Sequence, residues 1–312
     1  MTLPRATLAS LAAAATGVQV GAAIVATRVV VDQTGPASLA MLRYAIGFLC
    51  LVPPLLLAPR MRFDRRDIAP IALLGIVQFG LLIALLNYGL RFIPSGRAAL
   101  ILSAFPLLTM LLAAALDQER LTAAKTLGVL ATILGVGLAL GEKAFAPGHG
   151  GEWGGGEWIG ELAVFGSAFC GAFCTVLCRP YLRKYPTLPV GAFAMLASVG
   201  FLAVLALGEG FFTTPLRVTS AGWLAVLFIG LSSGVGYCLW LWALNNATPT
   251  RVTVFLGLSP VTAMLLGAAL LGEPLSALSL GGAGLVVLGL IVAHWPARQG
   301  ATRQSENVTR TG

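Results

Sequence analysis

Ser233, Tyr237 and Trp240 follow one another at spacings of four and three, which on a helix puts a hydroxyl, a phenol and an indole on one stripe. Asn87 and Tyr88 add an amide and a second phenol. Gln19 stands between Thr16 and Thr27 on one helical face, and deep in an apolar segment its amide needs a partner. Groups of this kind suit a small polar or zwitterionic solute with an apolar side chain, and phenol and indole faces attract an ammonium group. The competing reading is interfacial belting, because Trp and Tyr gather at membrane surfaces; Trp242, Asn245 and Asn246 fit that reading, whereas Tyr237 lies deeper. Gln19 is equally open to a place on a pathway or an interhelical hydrogen bond. Gln78 does not share a helical face with Asn87, so the two do not form one stripe.

Arg43 is the one basic residue well inside an apolar run. An intramembrane charge is costly and usually functional. It fits a carboxylate or a phosphate; it also fits snorkelling, or satisfying carbonyls freed by a helix break. Cys170, Cys174 and Cys178 recur every fourth residue, which reads better as small packing residues than as a metal or redox site. His149, Glu152 and Glu157 have no paired metal-ligand spacing.

Two prolines interrupt apolar runs in matching contexts. PLLTMLLAAALDQERLTAAKTLG starts at Pro106, and PVTAMLLGAALLGEPLSALSLGG starts 154 residues later at Pro260. That offset also superposes Met110 on Met264, Glu119 on Glu273, Gly128 on Gly282 and Gly135 on Gly289. Proline removes a donor and clashes with the turn before it, so each run is expected to kink and free a carbonyl. Ala99, Ser103, Pro106 and Met110 share one face, and Thr253, Gly257, Pro260 and Met264 share its counterpart. These faces read as two gating helices along a pathway, with a packing kink as the alternative. The repeated glycines give smooth faces that suit bundle packing or a homodimer, and a monomer is equally compatible.

The chain that positions these groups is 312 residues long, 57% hydrophobic and 10% charged. Soluble domains carry about 25% charged residues. The five cysteines all lie in apolar runs, which argues against a disulfide framework. Despite the net charge of +8, no basic stripe alternates with aromatics, so no nucleic-acid surface is indicated. No P-loop, no mid-span His beside a Ser and no intramembrane Asp pair is present, and no cofactor, metal or catalytic constellation is called for. No Asp or Glu falls near the middle of a span, so a buried-carboxylate proton relay has no obvious residue.

A bilayer-crossing helix needs roughly 20 apolar residues. Ten such spans are predicted at 8–29, 37–58, 68–90, 96–116, 124–142, 159–178, 188–208, 221–244, 250–271 and 277–295. The N-terminal run with Arg5 resembles a signal peptide, but it continues to about Val31 and reads as an uncleaved first helix. The predicted architecture is an all-α polytopic membrane protein: a first five-helix unit (1–142), a Gly-rich extracytoplasmic linker (143–158), a second unit (159–295) and a disordered cytoplasmic tail (296–312). Five spans per unit is an odd number, so the second unit enters the membrane in the opposite sense and the repeat is inverted. Fourteen Lys and Arg lie on the N-terminal side and five on the other, which places both termini in the cytoplasm.

The run NYGLRFIPSGRAALILSAFPLLTMLLAAALDQERLTAAKTLGVLATILGVGL resembles the EamA unit of the drug/metabolite transporter superfamily. So does LWLWALNNATPTRVTVFLGLSPVTAMLLGAALLGEPLSALSLGGAGLVVLGL. GPASLAMLRYAIGFLCLVPPLLL resembles that unit's second helix, and its partner YPTLPVGAFAMLASVGFLAVLAL lacks the arginine. The resemblance implies ten helices, cytoplasmic termini and a central cavity lined from both halves, in the plasma (inner) membrane. It also implies a small-molecule substrate: the Tyr- and Trp-rich lining with little charge is similar to amino-acid exporters of the aromatic type, working by alternating access. The candidate solute-contacting residues are then Gln19, Arg43, Asn87, Tyr88, Ser103, Ser233, Tyr237, Trp240 and Thr253, with Pro106 and Pro260 as gating positions. The same fold serves multidrug exporters and uptake permeases. A phosphorylated-metabolite or nucleotide-sugar exchanger would need several midplane cations, and a scaffold or enzyme is disfavoured by the matched kinks and the missing catalytic groups.

Overall fold

In hydrocarbon a backbone has no water to bond, so each segment must close its own hydrogen bonds as a helix. The computed structural model describes residues 5–57, 61–93, 98, 101, 102, 104–118, 123–145, 157–213, 217–271 and 277–294, and among them every regular element is helical. We number the apolar helices α1 (Arg5–Val30), α2 (Pro36–Leu57), α3 (Arg65–Phe92), α4 (Phe105–Ala115), α5 (Ala123–Phe145), α6 (Glu157–Leu177), α7 (Thr187–Gly208), α8 (Ser220–Asn246), α9 (Pro249–Leu270) and α10 (Ala277–His294). A short helix, Arg179–Lys184, joins α6 to α7. Seven of the described helices are long and apolar enough to cross a membrane, and three shorter apolar helices, within α4, α5 and α10, accompany them. Ser103, Ala99, the turn at Pro94–Ser95, Glu119, Glu273, most of the Gly-rich linker and the tail beyond 295 lie outside the described residues.

The outer surface is apolar, as lipid contact requires. On α6, Phe165, Phe169 and Phe173 are exposed while Ala168, Ala172 and Cys174 are fully buried, so the aromatic stripe faces out and the small residues face in. All five cysteines are free thiols.

Helices of one half pack mainly on those of the other. α1 lies on α8 and α9, and α6 lies on α3 and α4; α2 contacts α7 and α8, and α7 contacts α2 and α3; α5 runs along α10. Exchanging each helix for the one five places away maps this set of pairings onto itself. Close approach needs small residues at several crossings, two of which bear on the site and the repeat. A side chain begun at Gly135 of α5 would put its Cβ 2.6 Å from the Gly282 carbonyl oxygen of α10. A side chain begun at Gly234 of α8 would meet the Gly47 carbonyl oxygen of α2 at 2.7 Å.

One polar clasp ties the end of α7 to the start of α2, and another ties the segment before α7 to the start of α3. Glu209, just past α7, accepts from the Ala37 and Ser38 amides (2.9 and 2.8 Å) and from Ser38 Oγ (2.6 Å), satisfying donors that the first turn of α2 leaves open. At the opposite end, Lys184 donates to Asp64 and Asp67 (2.5 and 2.6 Å), and Tyr185 Oη donates to Asp67 (2.6 Å).

Both repeated prolines sit differently from the expected mid-helix kink. Pro106 occupies the first turn of α4, directly after a non-helical turn at Ala104. Pro260 is the third residue of the α-helical stretch Leu258–Leu271, which follows a 3-10 turn at Val254–Gly257. The missing donor costs nothing in a first turn, so the chain breaks upstream of each proline instead of bending around it. α3 has its own irregularity, a π-helical turn at Ile76–Leu81.

Candidate functional site

The Gly47–Gly234 approach brings α2 against α8 with Arg43 facing Ser233. Arg43 Nε donates to Ser233 Oγ at 2.6 Å, and Ser233 Oγ donates to the Ile229 carbonyl at 2.6 Å. The guanidinium carbon lies 5.5 Å from the centre of the Tyr44 ring. Arg43 is only 8% exposed and forms no ion pair with any described carboxylate.

Beside this arginine is a cavity of about 140 Å³ bounded by α1, α2, α3, α8, α9 and the start of α4. Its wall is largely apolar and aromatic. Tyr44, Phe79 and Tyr237 form an edge-to-face chain with centroid separations of 4.8 and 4.2 Å, and Trp240 meets Phe105 at 6.3 Å. Gln19 donates to Ser232 Oγ at 3.2 Å. The Thr16 and Thr27 hydroxyls donate to carbonyls one turn back in α1, Ala12 at 2.9 Å and Ala23 at 2.7 Å, and so offer the cavity little. Gln78, inside the π-turn of α3, faces the cavity, and the buried Ser259 Oγ beside Pro260 has no hydrogen-bond partner among the described residues.

Among the described residues lining this cavity, Arg43 alone carries a charge. Removing a guanidinium from water costs several kcal/mol. One hydrogen bond to a charged group returns about 1.5–3 kcal/mol, and a cation–π contact about 0.5–2 kcal/mol. The deficit is of the size that an incoming anion with two oxygens would offset, since guanidinium and carboxylate match as a two-point fork. The volume limits the rest of the solute: a cavity of about 150 Å³ holds a benzene-sized ring.

Six of the residues singled out in the sequence converge here: Gln19, Arg43, Ser233, Tyr237, Trp240 and Pro260. Others lie apart. Asn87 is buried behind the wall and donates to the Pro36 carbonyl at 2.9 Å. Tyr88 is 38% exposed and packs at a tilt against Phe92. Thr253 is fully buried and bonds the Thr250 carbonyl at 3.2 Å. Pro106 is buried off the cavity, and Ser103 lies outside the described residues. Tyr44, Phe79, Phe105 and Ser259 line the cavity without having been singled out, and so does Gln78, which the sequence separated from Asn87 without giving it a role. A mid-span glutamine needing a partner was the available signal for Gln78.

Residues 7–141 and 158–295 match the EamA-like transporter family, one copy on each half of the chain. A probable terminal-alkyne amino-acid exporter of Streptantibioticus cattleyicolor is 30% identical over 272 residues, covering 86% of this chain and 87% of that one. A probable amino-acid metabolite efflux pump of Salmonella typhimurium is 28% identical over 265 residues, covering 77% and 85%. A solved crystal structure superposes with a TM-score of 0.75 at 22% identity, covering 95% of this chain and 98% of that one, which shows a shared fold. Apolar membrane-length helices, a cavity enclosed from both halves and a family match to each half converge on one assignment: the chain is a multi-pass membrane transporter of the EamA-like family.

Proposed function

We propose that the protein exports small metabolites, foremost amino acids with apolar or aromatic side chains, by alternating access through the cavity beside Arg43. The observation that carries this reading is the buried arginine without a carboxylate partner, facing an aromatic cavity of about 140 Å³. A carboxylate would complete Arg43, and the Tyr44, Phe79, Tyr237 and Trp240 surfaces would enclose an apolar side chain. A single cation in the lining is too few for a phosphorylated solute or a nucleotide sugar. The names of the two amino-acid-exporting relatives support the same class.

The exchange pattern of helix pairings supports two inverted five-helix units, ten spans in all, with both termini cytoplasmic as the arginine distribution predicts. The cavity is asymmetric within that frame. On α1 it runs from Thr16 to Thr27 and on α3 from Gln78 to Leu86, toward the ends of both helices that this topology places outside. α6, the counterpart of α1, contributes nothing to it; there Phe105 packs where Gly171 leaves room. One open and one packed side is what a single state of an alternating pair looks like. Rocking α3 and α4 against α8 and α9, with the breaks upstream of Pro106 and Pro260 as flexing points, would exchange them. The driving force is the solute gradient or proton exchange.

Efflux from proteoliposomes, each loaded with one labelled solute and run with and without a pH gradient, tests the reading. Apolar and aromatic amino acids should leave faster than from protein-free liposomes, and a pH gradient should change the rate only if protons are exchanged. Failure to move any amino acid would end the substrate assignment.

A further inference from the structure

An α-amino acid brings two charges, and the cavity answers only one of them. The lining carries Arg43 and no carboxylate, and none of the twelve Asp and Glu of the chain falls in the lining segments 16–27, 43–44, 78–86, 102–105, 233–240 or 256–260. A carboxylate against Arg43 gives a neutral complex. A zwitterion gives the same contact and leaves an ammonium in the apolar wall, where Gln78 and Ser259 offer neutral oxygens and Tyr237 and Trp240 offer ring faces. Those partners return less than an ammonium loses on leaving water.

We propose that the recognised class is a small apolar monocarboxylate, read by its carboxylate and its apolar body, and that the α-amino group lowers affinity. The desamino or N-blocked form of an amino acid then binds better than the amino acid itself. This rests on the reading of the Arg43 cavity as the solute site and narrows what that site selects. Export of amino acids remains compatible with it, as transport of the less favoured members of the class at the concentrations that drive efflux.

Intrinsic tryptophan fluorescence of the purified full-length protein, with Trp240 in the cavity wall, measures this with four probes that share one ring: phenylpropanoate, N-acetylphenylalanine, phenylalanine and phenethylamine. Phenylpropanoate should saturate the signal at a concentration about tenfold or more below phenylalanine, a ratio corresponding to about 1.4 kcal/mol. Phenethylamine should give no saturable change. Arg43→Gln should remove the phenylpropanoate response, and Arg43→Lys, which keeps the charge and loses the fork, should retain part of it. Phenylalanine binding more tightly than phenylpropanoate, with the same dependence on Arg43, would overturn this inference and leave the cavity standing as the solute site. Absence of any Arg43-dependent response to all four probes, in protein whose melting profile is unchanged, would overturn both. N-acetylphenylalanine binding more weakly than phenylalanine would show that the amino group is recognised, and so would count against the proposal.

Discussion

Arg43 has its chemistry set by two neighbours and one absence. Ser233 fixes the direction of Nε, Tyr44 covers one side of the guanidinium, and no described acid neutralises it. Ser233→Ala should therefore weaken carboxylate binding by about tenfold, the size of one lost hydrogen bond to a charged group, while leaving the protein folded; a fluorescence titration beside a melting curve separates the two effects. Trp240→Ala should lower affinity for solutes with rings more than for small aliphatic ones, because it removes the indole surface that contacts the apolar body. Competition between benzyl- and methyl-bearing acids reads that difference. At this scale the sequence was legible where a polar group was stranded in hydrocarbon, as with Arg43, Gln19 and Ser233. It was less legible for Asn87 and Thr253, whose polar atoms bond backbone carbonyls, because a satisfied polar residue and a solute-binding one look alike in a string of letters.

Helices and their irregularities decide which residues meet. Gly135→Leu should destabilise the protein by about 1–3 kcal/mol, because any side chain at that crossing meets the Gly282 backbone, and the loss should show as a lower melting temperature in detergent. Pro260→Ala should restore a donor at the 3-10 break inside α9 and slow turnover, with solute affinity unchanged, if that break flexes during transport. Parallel efflux and binding measurements separate these, and unchanged efflux at normal expression would remove the gating role. Helix limits were readable because turn chemistry such as Thr34–Gly35–Pro36 bounds long apolar runs. The π-turn was not, since no residue type marks it, yet it brings Gln78 and Phe79 onto the cavity wall.

Across the whole molecule, Glu209 ties the end of α7 to the start of α2, and Lys184 ties the segment before α7 to the start of α3. Glu209→Gln removes the charge at the start of α2 and should cost about 0.5–2 kcal/mol of stability, as loss of a helix cap does. Topology offers a check on the larger frame: a cysteine placed at Arg62 and a reporter at the C-terminus should both register as cytoplasmic. A periplasmic signal from either would overturn the orientation.

Sequence alone determined that the chain lives in a membrane, roughly where its helices begin and end, and that one half repeats the other. Those properties depend on local hydropathy, turn residues and self-similarity, which hydrocarbon reads segment by segment because each helix must satisfy its own backbone. Only the tertiary structure decided what surrounds the cavity. Helices such as α8 and α9 are apolar on nearly every face, so the periodicity that separates core from surface in water is missing here. Arg43 and Ser233 stand 190 residues apart, and their meeting was fixed by glycines that let α2 and α8 touch.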